Sequence, residues 1–194
     1  EVLPRPVQDP HPTVWMAATT SVESFEYSGA QGFHMMLIPF LNEVDELREK
    51  MQVYFKARQA AGYDPATARV LGVYHAHVGE SSADARAAAA HGLHEYHSAA
   101  QVAHSLTPGM ADPESYRSHD KHRAAMKRLT FDELIEQKRV LVGDAIEVRE
   151  QVEYVRERLY LTDLAGNFAM GGLSDRQARA SMRRFMDRVA AKAR

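Results

Sequence analysis

The chain has no cysteine. That excludes disulfides, thiolate metal sites and cysteine nucleophiles, and it fits a reducing, cytoplasmic setting. No apolar run approaches the ~20 residues that span a bilayer, so no membrane partner is expected. The formal charge is only -2, which gives no electrostatic reason to expect nucleic acid. There is no P-loop, no dinucleotide-binding glycine fingerprint and no nucleophile elbow. The opening Glu-Val-Leu-Pro-Arg-Pro is not a signal peptide. It also lacks an initiating methionine, so the expectation is a processed chain or a piece of a longer one. What is present is 194 residues with ordinary apolar and charged fractions, enough for one core and a single domain over 1–194.

The most informative stretch is residues 10–39. It reads as an apolar strand behind a Pro-His-Pro, a hydroxyl-rich turn, a short helix and a second strand at 33–38 closed by Pro39. Thr19, Thr20 and Ser21 fall where the first strand ends and the helix begins. Ser21 suits an N-cap, and Ser24 lies in the first turn. Backbone N–H groups at such a turn, with hydroxyls beside them and the positive end of a helix dipole, suit a phosphate. The same geometry also caps helices that bind nothing.

The rest alternates. Asn42 opens an amphipathic helix to about residue 61, with Leu47, Met51, Tyr54 and Phe55 on one face and Gly62 as its stop. Residues 69–78 read as a strand apolar on both faces, hence buried. An alanine-rich helix follows from Ser81 or Ser82 to about residue 105. Residues 107–128 are a polar excursion, with a helix near 114–128. Thr130-x-x-Glu133 has the form of a capping box. Gly143-Asp144 starts a helix to about residue 156. A fourth strand is expected at 158–164, then a glycine-bearing loop at 166–172. Ser174 caps a last basic helix, with Ala178, Met182, Phe185 and Val189 inward. Strands separated by helices call for parallel pairing and right-handed crossovers. About four strands fit either a small open sheet or half of a closed barrel, which needs eight strands in ~250 residues.

Several further residues bear on chemistry. His91, His94 and His97 recur every third position on one helix, with His104 beyond. This spacing drifts around the helix rather than converging, so they read as a solvated or partner-facing side and no metal is expected. His75 and His77 share one face of the third strand. Their first reading is structural; near the strand's C-terminal end they would reach an active-site mouth as proton donors. His34 reads as structural. Met170, with Asn167 and Phe168, is a candidate lining for an apolar pocket. Arg176, Arg179, Arg183, Arg184, Arg188, Lys192 and Arg194 form a basic, solvated helix face.

The 10–39 block resembles the fifth and sixth barrel strands of the bacterial-luciferase-like, flavin-dependent monooxygenases. Residues 70–80 with Ser-Ser-Ala-Asp-Ala-Arg after them are similar to the seventh strand and its helix. Leu141-Val-Gly-Asp resembles the family's Gly-Asp-Pro helix start, with Ala145 in place of proline. Gly171-Gly172-Leu173 and the helix after it resemble the C-terminus. The resemblance implies an α/β fold of parallel (β/α)8 TIM-barrel type, of which only the second half, strands 5–8, is present.

It further implies reduced FMN as cosubstrate, supplied by a flavin reductase, reacting with O2 to oxidise a small organic substrate. The cofactor does the hard chemistry, and the protein orients it and keeps water out. F420 serves relatives with the same barrel; the turn sequence favours FMN. Ala18 and Thr19 fall where luciferases hold the flavin phosphate, and Thr20 and Ser21 continue that turn. Val22 stands where luciferase has a hydroxyl residue, and no arginine is adjacent in sequence. In the family, basic phosphate partners come largely from the first half. Catalytic residues are unassigned, His75, His77 and Met170 are substrate-pocket candidates, and 107–128 falls where the family's lid varies. A chain with half the pocket is expected to be inactive alone and to pair with the missing half or with itself. The alternative is a reduced barrel serving as a non-catalytic flavin-binding or dimerising module. A third reading is a small open sheet unrelated to flavin.

Overall fold

The computed structural model describes residues 5–9, 11–105 and 129–192. The 107–128 excursion and its expected helix lie outside the described residues.

Five parallel strands form the sheet: β1 (Trp15–Ala18), β2 (His34–Leu37), β3 (Val70–Val78), β4 (Leu141–Gly143) and β5 (Asp163–Asn167). β1 pairs with β2 from Trp15↔His34, and β2 with β3 from Met35↔Val70. β3 is long enough to serve two further strands. Its first part pairs with β5, Leu71↔Asp163 to His75↔Asn167, and its end pairs with β4, Ala76↔Leu141 to Val78↔Gly143. The path β1-β2-β3-β5 is singly wound, as half of a closed parallel barrel is.

The helices are α1 (Val22–Ala30), α2 (Val44–Ala60), α3 (Ser82–Ser105), α4 (Phe131–Glu136), α5 (Ala145–Leu159) and α6 (Asp175–Arg184). Alternation along the strands sorts side chains to two faces. Met35, Leu37, Val70, Tyr74, Ala76 and Val78 face outward into the main core with Phe25 of α1, Leu47, Met51 and Tyr54 of α2, and Val148, Val155 and Leu159 of α5. The opposite face holds Trp15, Met36, Leu71, Val73 and Ala165, all only half-buried. Among the described residues β1 pairs only with β2 and β5 only with β3. The sheet therefore ends in two open edges and carries a half-exposed apolar concave face.

Local chemistry sets most boundaries. Thr130 and Glu133 make both bonds of a capping box, as do Ser174 and Gln177. Asp144 caps α5 by accepting from the Ile146 and Glu147 amides. Four expectations need correction. Residues 158–162 of the expected 158–164 strand are not strand: α5 continues to Leu159, Tyr160 turns the chain at φ 58°, and the strand runs Asp163–Asn167. Leu141–Gly143, read as a helix start, is a short strand before the Asp144 cap. Asn42 does not cap α2; Glu43 occupies that position and Asn42 is buried. Met182 is 47% exposed, and Ser181 points inward in its place, its hydroxyl accepting from the Val78 amide at 2.8 Å. That bond satisfies β3 beyond the point where β5 stops.

Candidate active site at the strand ends

In a parallel barrel the chemistry sits at the C-terminal ends of the strands, where loops converge. Here those ends carry Ala18 and Thr19 at the end of β1, Val78 and Gly79 at the end of β3, and Asn167 and Phe168 at the end of β5. The β3–α3 turn is tight: a Cβ on Gly79 would lie 2.7 Å from both the Ala85 nitrogen and the Ser81 carbonyl oxygen.

Ala18 is buried, Thr19 and Thr20 are half-buried, and Ser21 is exposed. Ser21 holds the N-cap position of α1, yet its side chain does not cap the helix. Its hydroxyl donates instead to Glu23 Oε2 at 2.6 Å, which holds that carboxyl below its ordinary pKa. The Ser24 amide reaches only the Ser21 carbonyl, at 3.2 Å. The first turn of α1 thus presents amides and hydroxyls at the positive end of the helix, with Glu23 as its acidic residue.

Sequence reasoning missed a cation at this turn. Lys50 lies in mid-α2, where helix periodicity alone reads it as solvated, yet it is 6% exposed. Its Nζ donates to the Thr19 carbonyl at 3.4 Å, to Asn42 Oδ1 at 3.5 Å and to Glu46 Oε1 at 2.7 Å. The i,i+4 pair with Glu46 was legible as a helix-surface contact. The reach back to Thr19 was not.

His75 and His77 share the concave side of β3 and are 8% and 4% exposed. His75 Nδ1 lies 3.3 Å from Asn167 Nδ2, within hydrogen-bond reach. Its ring also meets Phe40 edge-on, with centroids 4.9 Å apart. His77 Nδ1 is buried without a hydrogen-bond partner. Burial first, and then the Arg184 charge, push the His77 pKa down, so the ring is neutral near pH 7.

Met170 is 1% exposed and belongs to an apolar cluster with Phe40, Leu93, Ile135 and Val142. Its loop lies close on α3: a Cβ on Gly92 would stand 2.7 Å from the Gly171 carbonyl. The structure therefore brings His75, Asn167, Phe40 and Met170 into one neighbourhood. The Thr19–Ser21 turn stands two strands away, about 10 Å at sheet spacing.

His34 sits at the opposite end of its strand. Arg184, read as solvated, donates to the Val78 carbonyl at 3.4 Å and pairs with Glu80 at 2.6 Å. Among the described residues no cluster of three or more His, Asp or Glu could hold a metal ion. No described helix is long and apolar enough to cross a membrane. A cavity of about 660 Å3 opens between α5, β5 and the C-terminal helix, lined by Leu161, Leu164, Phe185, Met186 and Val189. It shares no residue with the strand-end cluster.

These arrangements match known proteins in fold. Monooxygenase RslO1 from Streptomyces bottropensis is 21% identical with a TM-score of 0.73, the match covering 97% of this chain and 50% of that one. The oxygenating constituent of 3,6-diketocamphane monooxygenase from Pseudomonas putida, a type II Baeyer-Villiger monooxygenase solved with FMN, is 15% identical. Its TM-score is 0.71, with 94% of this chain and 49% of that one covered. An F420-dependent secondary alcohol dehydrogenase, solved with an F420-acetone adduct, is also 15% identical, at a TM-score of 0.60 and the same coverage. The chain thus spans about half the length of these structures. Comparison with curated proteins finds no match. The family model for luciferase-like monooxygenases matches residues 1–163. With its parallel, singly wound half of a barrel, the chain belongs to the luciferase-like monooxygenase family.

Proposed function

We propose that this chain supplies the flavin-phosphate side of a monooxygenase barrel that uses reduced FMN and O2 to oxidise a small organic substrate. The carrying observation is the turn after β1. Thr19, Thr20 and Ser21 sit at the N-terminus of α1, with a buried lysine braced against the Thr19 carbonyl. This donor set suits a phosphate: hydroxyls, backbone amides and a helix dipole act together, with a cation behind them.

When bound, the reduced flavin would supply the electrons that activate O2, and O2 would supply the oxidising equivalents. The chain's own residues bind, orient and shield. The 19–21 turn anchors the phosphate. The half-buried concave residues Met36, Leu71, Val73 and Ala165 offer an apolar bed for a ring system. Met170 and Phe40 exclude water beside His75. His77 Nδ1, buried and without a partner, is a ring atom left for a polar group of the flavin or substrate. FMN is favoured over F420 by the hydroxyl-rich turn.

The open edges of β1 and β5 and the half-exposed concave face support a partner that completes the barrel, either its first half or a second copy of this chain. A flavin reductase is the expected source of reduced FMN. Without the completing half, catalysis by this chain alone is not expected.

The test is flavin binding by fluorescence, comparing FMN, riboflavin and F420. FMN is expected to bind at least tenfold more tightly than riboflavin. Thr19→Val, Thr20→Val and Ser21→Ala combined are expected to abolish that preference by removing three hydroxyls. Equal binding of FMN and riboflavin by the unaltered chain would end the proposal. Substrate oxidation by the completed barrel separates an enzyme from a flavin-binding module.

A further inference from the structure

A mid-helix lysine that is 6% exposed needs a reason, because an ammonium group is costly to take out of water unless its hydrogen bonds are replaced. Lys50 replaces all three. Its donors end on the Thr19 carbonyl, Asn42 Oδ1 and Glu46 Oε1. Only the Glu46 bond is local to α2. The other two acceptors belong to separate pieces of the molecule, the turn leaving β1 and the segment that follows β2.

The Thr19 contact has a directional consequence. In a trans peptide the C=O of one residue and the N–H of the next point in opposite senses. An ammonium that draws the Thr19 carbonyl toward α2 therefore turns the Thr20 N–H away from α2. The first-turn amides of α1 continue from there. Val22 cannot contribute a hydroxyl, so backbone orientation shares the burden at this turn with the hydroxyls of Thr19, Thr20 and Ser21.

The second leg of the brace is equally constrained. Asn42 is 1% exposed, and its Nδ2 has no hydrogen-bond partner. Such an arrangement costs stability, on general grounds. The fold retains it, with Oδ1 on the Lys50 ammonium. The brace thus ties the exits of two neighbouring strands to one buried charge. That charge is fixed from behind the turn rather than offered to solvent in front of it.

We infer that Lys50 is a positioning residue for the phosphate-binding turn. It fixes the Thr19–Thr20 peptide, and with it the backbone that enters α1 at this turn, through the Thr19 carbonyl, and it lends the turn a buried positive charge. This rests on the phosphate reading of the turn given above.

The test compares FMN and riboflavin, which differ only in the phosphate, on the full chain and on Lys50→Met. Lys50→Met is expected to lower FMN affinity about tenfold and to leave riboflavin affinity unchanged, so the preference collapses. Lys50→Arg keeps the charge and is expected to restore part of the preference. The double variant Lys50→Met/Glu46→Gln removes the carboxylate stranded by the first change and serves if the single variant does not fold.

A purely structural lysine would weaken both flavins together or lower only the melting temperature, and either result overturns the inference. So does an unchanged FMN preference in Lys50→Met. If the unaltered chain shows no preference for FMN, the phosphate reading itself fails, and this inference falls with it; a preference that survives the loss of Lys50 sinks only the latter.

Discussion

The two ends of the sheet are built on different principles. At the N-terminal ends of the strands, polar groups are cross-linked. Arg58 of α2 is 4% exposed and donates to the Phe33 carbonyl at 3.3 Å, the Asp64 carbonyl at 3.2 Å and Thr67 Oγ1 at 3.1 Å. Tyr54 reaches the same Phe33 carbonyl at 2.8 Å. Arg69 pairs with Asp163 across β3 and β5 and lies over the Trp15 ring at 5.2 Å. Trp15 in turn stands 5.0 Å from the His34 ring. At the C-terminal ends, by contrast, His77 Nδ1 and Asn42 Nδ2 lack partners, and the turn hydroxyls remain near the surface. The first end ties its strands together through Arg58, Tyr54 and Arg69, whereas the second also leaves buried polar atoms of His77 and Asn42 unpaired. In parallel barrels generally, stability lies at one rim and chemistry at the other.

The sharpest way to break this contrast acts on the stabilising end. Gly29 brings α1 against α2 near their strand-entry ends. A Cβ there would lie 2.3 Å from the Tyr54 carbonyl oxygen and 3.0 Å from the Arg58 nitrogen. Both are backbone atoms, which cannot rotate aside. Gly29→Ala is expected to cost about 3 kcal/mol, read from the urea midpoint at constant slope. Under conditions where the variant stays folded, its FMN-over-riboflavin preference should match that of the unaltered chain. A changed preference would show that the two ends are coupled.

A smaller effect comes from His34. Its Nδ1 accepts the Arg69 amide at 3.2 Å, which requires an unprotonated nitrogen. Burial, and then the charges of Arg58 and Arg69, hold its pKa below the ordinary histidine value, against the pull of Asp163. The unfolded chain therefore takes up this proton first. The contribution to stability is complete above the unfolded pKa of about 6.5 and is lost as pH falls through it toward the folded value. His77, also shifted down, adds a slope of the same sign. Urea midpoints at pH 7.5 and pH 5.5 should differ less in His34→Gln than in the unaltered chain. Equal differences would assign the slope elsewhere.

What the sequence disclosed about these two ends depended on whether the signal was local. The Thr130/Glu133 capping box and the Ser174 and Asp144 caps act within three residues, and each is found as read; Gln177 completes a second box with Ser174. The apolar-on-both-faces pattern at 70–78 survived because β3 is covered outward by helices and carries His75 and His77 in buried positions on its other face. β5 was misplaced because its residues Asp163, Gly166 and Asn167 have low strand preference, while the apolar Leu159 and Leu161 before it drew the strand too early. No glycine marks the end of α5, since Tyr160 itself takes the left-handed turn. β4, three residues long, is held by pairing with β3 rather than by any pattern of its own. Lys50 was illegible for the same reason. Its burial is decided by a carbonyl contributed by Thr19, 31 residues earlier.

The finest distinction between the two ends lies in a single carboxylate. Glu23 is exposed in the first turn of α1, where a negative charge stabilises the helix dipole, and it already holds the Ser21 hydroxyl at 2.6 Å. For helix stability alone it is well placed. For a turn that receives a phosphate it is a competitor twice over, by like-charge repulsion and by occupying a donor. Glu23→Gln removes the charge and weakens the hold on Ser21, leaving a neutral acceptor in place of the carboxylate, so FMN affinity should rise about two- to fivefold, with riboflavin unchanged. Because both groups are solvent-facing, the gain should shrink as salt is raised from 0.05 to 0.5 M. A loss of FMN affinity would instead make Glu23 a participant in binding and move the phosphate off the helix axis. An increase for both flavins would mean that the carboxylate had been acting on the ring, and the turn would lose its claim to the phosphate.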